Sequence, residues 1–202
     1  GPDWRDPAII DMPLHDPDKV DVKGLRVAFH TSNGIMDPTP ETAEAVRAAA
    51  RALADAGCSV EEERPQALDM LPDLTHLTEA DGRSWVRRLL DKAGTVELHP
   101  WLQKRMDEAK VVPTDEFTAL LEKLDEYRSA MLSFMGGYDA ILCPVAPFPA
   151  PEHGAMMEEA NKFAFTYTGA YNQTGWPGAV VRGGTSPEGL PIGVQVVARP
   201  WR

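Results

Sequence analysis

The sequence of 202 residues is poor in cysteine and has no long apolar run, and each shortage limits what the protein can be. Its two cysteines, Cys58 and Cys143, lie in predicted strands with no second cysteine or histidine at metal-ligand spacing. Buried free thiols of a cytoplasmic protein are therefore expected rather than a disulfide. No apolar stretch reaches the roughly 18 residues of a membrane span, and no segment has the pattern of a signal peptide. We expect a cytoplasmic protein that does not enter a membrane.

Most catalytic motifs are also missing. There is no Gly-x-Ser-x-Gly, His-Glu-x-x-His or Gly-x-Gly-x-x-Gly, and Gly184 and Gly189 are followed by Leu190 where a phosphate-binding loop needs lysine. Ser32 and Ser186 lie in predicted loops, but a Ser-His-Asp triad is defined by geometry rather than by composition. The histidines show no ligand spacing: His15, His30, His76, His99 and His153. No catalytic residue, metal ion or cofactor is predicted within this chain.

The charge is strongly acidic, with 31 acidic against 20 basic side chains and a net charge of −11. Such a surface repels phosphate backbones and anionic lipids, so direct contact with nucleic acid or membrane is not expected. The carboxylates at Asp37 and at positions 61–63 are interpreted as solvated loop and strand-edge residues rather than a metal site. The length and the hydrophobic content of 43% fit one globular domain with a sizeable core.

A strand, a helix and a second strand are predicted near the amino end. Alternating apolar residues predict a strand over 25–30. Thr39 is placed as the N-cap of a helix whose first residue is Pro40, and Gly57 is placed as its stop. Residues 58–63 form the next strand, so the unit is βαβ with parallel strands. The helix carries one apolar stripe: Ala43, Val46, Ala50, Leu53 and Ala54.

Residues 66–136 are predicted to be mostly helical, with helices over 78–94, 99–110 and 113–137. Thr114 is placed as the cap of the third helix, and Gly136-Gly137 as its end. Trp85 and Trp101, which lie in the first two helices, are interpreted as core residues. The buried face of the third helix is expected to consist of Phe117, Leu120, Leu121, Leu124, Tyr127 and Met131.

Three further strands are predicted over 140–145, 179–182 and 192–198, the last two as antiparallel neighbours. With the first two strands they form a mixed sheet flanked by helices, which is an α/β fold. The near-continuous apolar runs 140–145 and 192–198 are expected to need cover on both faces. Trp176 lies in a Gly-Trp-Pro-Gly loop, where a rigid backbone and an exposed ring suit a ligand contact.

Two stretches, YDAILCPVAPFPAPEHG and NQTGWPGAVVRGGTSPEGLPIGVQVVARPW, resemble the amidase signature family. The opening GPDWRDP and the segment LRVAFHTSNGIMDPTPETAEAVRAAARALADAGCSVEE are similar to the family in the same order. The resemblance covers nearly the whole chain and is weakest over 66–136. It implies amide hydrolysis or acyl transfer by a Ser–cis-Ser–Lys triad, in which lysine takes the proton of the nucleophile through the second serine.

The resemblance implies that the family's catalytic residues lie outside this chain. The chain has no Ser-Ser pair and no Ser-Gly-Gly stretch, so the catalytic positions are expected to precede Gly1 and none is assigned here. Residues 1–202 are thus expected to be a single incomplete α/β domain, cut at both ends, with no activity alone. Within it, 66–136 is expected to shape the acyl side of a substrate pocket.

The family's motifs also place substrate-binding candidates in this sequence. Asn172, Trp176 and Pro177 match an Asn-x-x-Gly-x-Pro loop near the family's cleft. Pro144 and Pro147 match the proline-rich loop after the preceding strand. Gln195 matches a Gly-x-Gln in the last strand, with a buried amide bonded to backbone as the alternative. The substrate-binding candidates are Trp176, Asn172, Pro147 and Gln195.

Three functions remain open from the sequence. The chain is the carboxy-terminal part of an amidase acting on a small-molecule amide, or a non-catalytic binding or assembly module with an amidase-derived fold. The third alternative is part of the A-type chain of a glutamyl-tRNA amidotransferase, whose partner chain would hold the tRNA. For the binding or assembly module, the exposed sheet edge is expected to be covered by a second copy or by a partner chain.

Overall fold

The fold is built on one mixed sheet, seen in a computed structural model that describes residues 3–6 and 16–200. The strands are β1 (Arg26–Phe29), β2 (Ser59–Glu62), β3 (Ala140–Pro144), β4 (Gly178–Thr185) and β5 (Pro191–Ala198), in the order β2-β1-β3-β5-β4. Strand β1 pairs in parallel with β2 and β3, whereas β5 is antiparallel to both β3 and β4. The predicted mixed α/β fold, its parallel βαβ unit and its antiparallel last pair are confirmed.

In the described ranges six α-helices accompany this sheet: α1 (Pro40–Asp55), α2 (Leu71–Leu74), α3 (Ser84–Ala93), α4 (Pro100–Glu108), α5 (Thr114–Phe134) and α6 (Thr166–Thr174). Short 3-10 turns lie at Pro17–Lys19, Gln66–Met70, Leu77–Glu79, Ala155–Met157 and Glu159–Asn161. None of the helices in the described ranges is long and apolar enough to cross a membrane. His15 and part of the predicted opening loop lie outside the described residues.

Each face of the sheet has its own core. Helix α1 packs its small buried residues against one face, where Val27, Leu142 and Val194 are buried beside Val46. The opposite face carries a larger cluster contributed by the sheet and by α5 and α6: Ala28, Ile141, Cys143, Val197, Tyr127, Met131 and Tyr171. The side chains of β3 and β5 alternate between these two clusters, so both faces of the two strands are covered by this chain itself. The expectation that 140–145 and 192–198 need cover on both faces is confirmed, and residues of this chain supply that cover.

Among the described residues β4 pairs with β5 alone and forms one edge of the sheet, whereas β2 forms the other. Val180 and Val181 are adjacent in β4, so their side chains point to opposite faces, and both are more than half exposed. The strand is longer than the predicted 179–182 because Gly184 and Thr185 pair with Ile192 and Pro191 beyond an irregularity at Gly183. An edge of eight residues, with Val180 and Val181 as its large exposed apolar side chains, is thus left on β4.

The helical region differs from its prediction in three details. Only the carboxy-terminal half of the α5 face is buried, since Leu124, Tyr127 and Met131 are covered whereas Phe117 and Leu121 are exposed. The N-cap of α5 is Pro113 rather than Thr114. The predicted helix 78–94 begins only at Ser84, because Gly82 and Arg83 both adopt the left-handed conformation. In α1, Thr39 is the N-cap as predicted, but its hydroxyl bonds that of Thr42 instead of capping a backbone N–H.

Candidate functional site

Gln195 joins strand β3 to helix α6 from the middle of the larger core. It lies opposite Cys143 in the β3–β5 register and is 5% exposed. Its Nε2 donates to the carbonyl oxygen of Pro144 at 2.7 Å and to that of Tyr167 at 3.1 Å. Both hydrogens of the amide nitrogen are donated to main-chain carbonyls. These contacts match the alternative given for Gln195, a buried amide bonded to backbone. Gln195 fixes where the proline-rich loop leaves the sheet.

The thiol and phenols around Gln195 are buried and protonated. The Cys143 Sγ lies 3.4 Å from the Tyr171 hydroxyl. Burial raises the pKa of the Cys143 thiol to about 12, and it raises the pKa of Tyr171 well above its usual value. A thiol acts as a nucleophile only as the thiolate. Cys143 is therefore an inert core residue at neutral pH, and this cluster positions backbone instead of attacking a substrate.

The loop after β1 is attached to α6 by Asn33, a residue that the sequence analysis did not single out. Asn33 is 1% exposed, and its Nδ2 donates to Thr166 Oγ1 at 2.8 Å. Its Oδ1 accepts from the backbone N–H groups of Ile35 and Met36, at 3.0 and 3.1 Å. The Tyr167 hydroxyl donates to the Met36 carbonyl at 2.6 Å. The Ser-Asn-Gly sequence signals this turn, because asparagine side chains commonly bond backbone two residues ahead.

His30 is buried at the end of β1 in the same neighbourhood. Its Nδ1 lies 2.9 Å from the Ser32 carbonyl, which only accepts, so Nδ1 carries a hydrogen. Its Nε2 is buried and has no hydrogen-bond partner among the described residues. Burial lowers the pKa of His30 to about 4, with the nearby Arg64 charge as a smaller contribution. The imidazole therefore stays uncharged at neutral pH.

The other substrate-binding candidates lie in different settings. Trp176 is 9% exposed and packs in the larger core, so the expected exposed ring was wrong. Asn172 is exposed on α6 rather than in a loop, and Pro147 is buried, with its carbonyl accepting from Thr39 N at 2.7 Å. No hydrogen bond within the described ranges joins any two of Trp176, Asn172, Pro147 and Gln195. Pro144, by contrast, is bonded directly to Gln195.

The remaining aromatic and acidic candidates also have defined positions. Trp85 and Trp101 are 50% and 38% exposed, so the interpretation of both as core residues was wrong. Glu61 and Glu63 accept from the Tyr138 hydroxyl, the first at 2.9 Å. These bonds and the partial burial raise the pKa of Tyr138. No group of three potential metal-ligating side chains occurs in the part of the chain that the structure describes.

Comparison with known proteins identifies the class to which this fold belongs. The family model Amidase matches residues 2–202, so the chain belongs to the amidase family, that of the amidase signature enzymes. It is 29% identical to an acylamidase of Rhodococcus erythropolis over 220 aligned residues, with 100% of this chain and 45% of that protein covered. It is 30% identical to a 6-aminohexanoate-cyclic-dimer hydrolase of Paenarthrobacter ureafaciens, covering 86% of this chain and 40% of the relative.

The solved structures agree with the sequence relatives. The structure of 6-aminohexanoate cyclic dimer hydrolase complexed with substrate superposes with a TM-score of 0.76 at 25% identity, over 96% of this chain and 46% of that one. A shorter match, 47% identical over 62 residues, is to the A-type chain of the glutamyl-tRNA(Gln) amidotransferase of Desulfosudis oleivorans, with 30% of this chain and 13% of that protein covered. The chain spans less than half the length of the relatives that it matches along most of its length.

Proposed function

We propose that this chain is the carboxy-terminal part of an amidase signature hydrolase that cleaves a carboxylic amide by serine acyl-enzyme chemistry. The observation that carries the proposal is the family match over residues 2–202 in a chain with no Ser-Ser pair and no Ser-Gly-Gly stretch. The nucleophile, the second serine and the lysine would then lie outside this chain. In that chemistry lysine, acting through the second serine, removes the proton of the nucleophile, and backbone N–H groups stabilise the oxyanion.

The chain's own contribution would be to build one side of the substrate cleft. Gln195 holds the Pro144 carbonyl and α6 in fixed positions, so the proline-rich loop and the helix bearing Asn172 move as one unit. Asn172 is exposed and available to a polar substrate group, while Pro147 and Trp176 support the surface from behind. The region 66–136 would shape the acyl side of the pocket. A small-molecule amide is the substrate class, as the names of the acylamidase and the cyclic-dimer hydrolase imply for those relatives.

The edge strand β4 is where the rest of the amidase domain would join. It presents an unpaired edge with Val180 and Val181 exposed on opposite faces. Unpaired apolar edges pair readily with another strand. A strand from the remaining half of the domain would complete the sheet here, and residues 1–202 would then be one part of a larger domain.

The proposal is tested by assaying the chain alone with an anilide substrate and a fluorophosphonate probe that reacts with activated serines. We expect no hydrolysis and no labelling, because no serine of the chain is paired with a lysine or a second serine in the required pattern. Hydrolysis by the purified chain, or labelling of one of its serines, would overturn the assignment of catalysis to residues outside it.

The A-type chain of an amidotransferase is the second candidate, supported by the short match at 47% identity. It differs from the hydrolase in needing a partner chain. Affinity purification of the natural protein, followed by identification of any stoichiometric partner, distinguishes the two. An amidotransferase is expected to retain such a partner through washing in high salt, whereas the hydrolase is expected to be recovered without one.

A further inference from the structure

Two arginines converge on one carboxylate in the helical region, away from the Gln195 network. The Oε1 atom of Glu79 accepts from Nη2 of both Arg83 and Arg105. Glu79 ends the turn Leu77–Glu79, Arg83 precedes α3, and Arg105 lies in the last turn of α4. Three separate elements therefore bring these charges together, which we call the Arg83–Arg105 cluster (Glu79, Arg83 and Arg105).

Local backbone geometry holds the Arg83–Arg105 cluster in place. Arg83 is the one residue other than glycine with a positive φ in the described part of the chain, at 58°. That conformation costs an ordinary side chain about 1 kcal/mol, so surrounding contacts must maintain it. The Val112 N–H donates to the Ala80 carbonyl at 2.8 Å, and Gly82 lies so close to Val111 that a Cβ there would meet its Cγ2 at 2.9 Å.

The Arg83–Arg105 cluster has more donors and more positive charge than Glu79 satisfies. The Nε atoms of Arg83 and Arg105 are both buried and lack a hydrogen-bond partner among the described residues. A buried donor without an acceptor costs about 1–3 kcal/mol, so two in one cluster indicate that an acceptor is missing. Two guanidinium groups against one carboxylate leave a net charge of +1. Asp81 makes no ion pair with Arg83 or Arg105 within the described residues, and its Oδ2 accepts from the Trp85 N–H at 2.8 Å.

The Arg83–Arg105 cluster is open on the side of Arg105. The side chain of Arg83 is 14% exposed and that of Glu79 28%, whereas that of Arg105 is 39% exposed. The Arg105 guanidinium lies over the Trp101 ring, 5.1 Å from its centroid, and Trp101 is itself partly exposed. A ligand approaching from solvent would contact the Arg105 guanidinium beside the Trp101 ring.

We propose that the Arg83–Arg105 cluster binds the carboxylate of a small monoanionic organic acid, with Glu79 as the internal carboxylate that the ligand displaces. Guanidinium groups bind the two oxygens of a carboxylate through paired N–H groups. The net charge of +1 matches a single carboxylate better than a phosphate dianion. Rotation of the Arg83 and Arg105 side chains away from Glu79 would turn their Nε–H groups toward the ligand, and the Trp101 ring would contact its hydrocarbon part. This inference does not depend on the proposed amidase function.

The test is an NMR titration of the whole chain with propionate at constant ionic strength, followed through the Trp101 indole N–H signal. Propionamide serves as the neutral ligand of the same shape, and inorganic phosphate as the dianion. Propionate is expected to shift the Trp101 signal in a saturable way, whereas propionamide is not. Phosphate is expected to bind at least several-fold more weakly. Saturable binding of propionamide, or tighter binding of phosphate, would overturn the proposed ligand class.

Four variants separate a binding site from a purely structural ion pair. Arg105→Gln is expected to weaken propionate binding about 10-fold, while Arg88→Gln, at an exposed arginine of α3, leaves it unchanged. Glu79→Gln is expected to strengthen binding several-fold, because the competing carboxylate is neutralised. If the ion pair is only structural, Glu79→Gln gives no gain in propionate binding. A folded Glu79→Gln protein without that gain would therefore overturn the proposal. If Arg105→Gln unfolds, Arg105→Lys keeps the charge without the fork and is expected to show the same weakening.

Discussion

Gln195 and Pro144 are joined by a buried hydrogen bond of 2.7 Å from the side-chain Nε2 to the main-chain carbonyl. The bond fixes the last residue of β3 at the point where the chain turns into the proline-rich loop. The same nitrogen also reaches the Tyr167 carbonyl in α6. A sheet residue thus determines the relative position of a loop and a helix that both border the proposed cleft.

Replacing Gln195 by leucine is expected to lower the free energy of unfolding by about 2 kcal/mol. The volume is nearly kept, but the Pro144 and Tyr167 carbonyls lose a buried donor, and buried groups without partners are costly. Urea denaturation of both proteins measures the difference.

The matched control is Gln103→Leu, at an exposed residue of α4 whose Nε2 bonds Asp107 on the surface. Its effect is expected to stay within about 0.5 kcal/mol. Equal effects of the two substitutions would show that Gln195 has no positioning role.

His30 is expected to make the protein less stable as the pH falls from about 6.5 toward 4. The folded pKa of about 4 is below the ordinary 6.5, so the unfolded chain binds the proton more readily. The contribution of His30 to stability is complete above pH 6.5 and declines through this window, so that the accumulated loss is roughly 3 kcal/mol at its lower end. Denaturation in urea at a series of pH values measures it.

The variant for this prediction is His30→Asn, which keeps a donor near the Nδ1 position and does not titrate. Its stability is expected to fall less steeply than that of the natural sequence between pH 6.5 and 4. His153→Asn, at an exposed histidine, is the control and is expected to keep the natural pH profile. If the His30→Asn curve ran parallel to the natural one, the buried neutral imidazole would not be the source of the slope.

Two glycine-to-alanine substitutions are expected to have opposite effects. At Gly183 a Cβ would lie 2.5 Å from Val194 Cγ1 in the core, so Gly183→Ala is expected to cost about 2 kcal/mol. At Gly169, inside α6, no atom lies within 4 Å of the added Cβ, and Gly169→Ala is expected to stabilise by about 0.5–1 kcal/mol. The melting temperatures of the two variants and of the natural sequence measure both effects. A stable Gly183→Ala protein would contradict the close approach of β4 to β5.

The exposed edge of β4 is expected to make the chain alone self-associate or bind a dye for apolar surface. The double substitution Val180→Lys with Val181→Lys should reduce both effects, because charged edge strands resist pairing. Lysines at Val20 and Val96, which are exposed outside the sheet, form the control and should leave both effects unchanged. A monomer without dye binding in the natural sequence would count against the β4 edge as an interface.

The strands were predictable because their apolar runs are local features of the sequence. β1, β2, β3 and β5 lie within about one residue of their predicted ends, whereas β4 was predicted too short. Gly183 and Gly184 are typical of a turn, but Gly184 pairs with Ile192 of β5, and Gly183 lies at the irregularity just before it. The preference of glycine for turns is thus overridden by pairing with a strand that lies further along the sequence.

The environments of the tryptophans were not predictable by the same means. Helix periodicity shows which residues share a face, but it does not show whether another element covers that face. Trp85 and Trp101 therefore remain exposed, whereas Trp176 turns into the core despite its glycine-rich loop. The contacts of Gln195 likewise join residues 28 and 51 positions apart, and no local pattern indicates either.

The most direct test of the central claim is to map the serine that a fluorophosphonate probe labels in the natural protein, isolated with an antibody against this chain. The labelled peptide is expected to lie outside residues 1–202 and to belong to the same polypeptide. A labelled serine within residues 1–202 would contradict it, as would an isolated protein whose mass matches the 22.1 kDa of this sequence and that still hydrolyses amides.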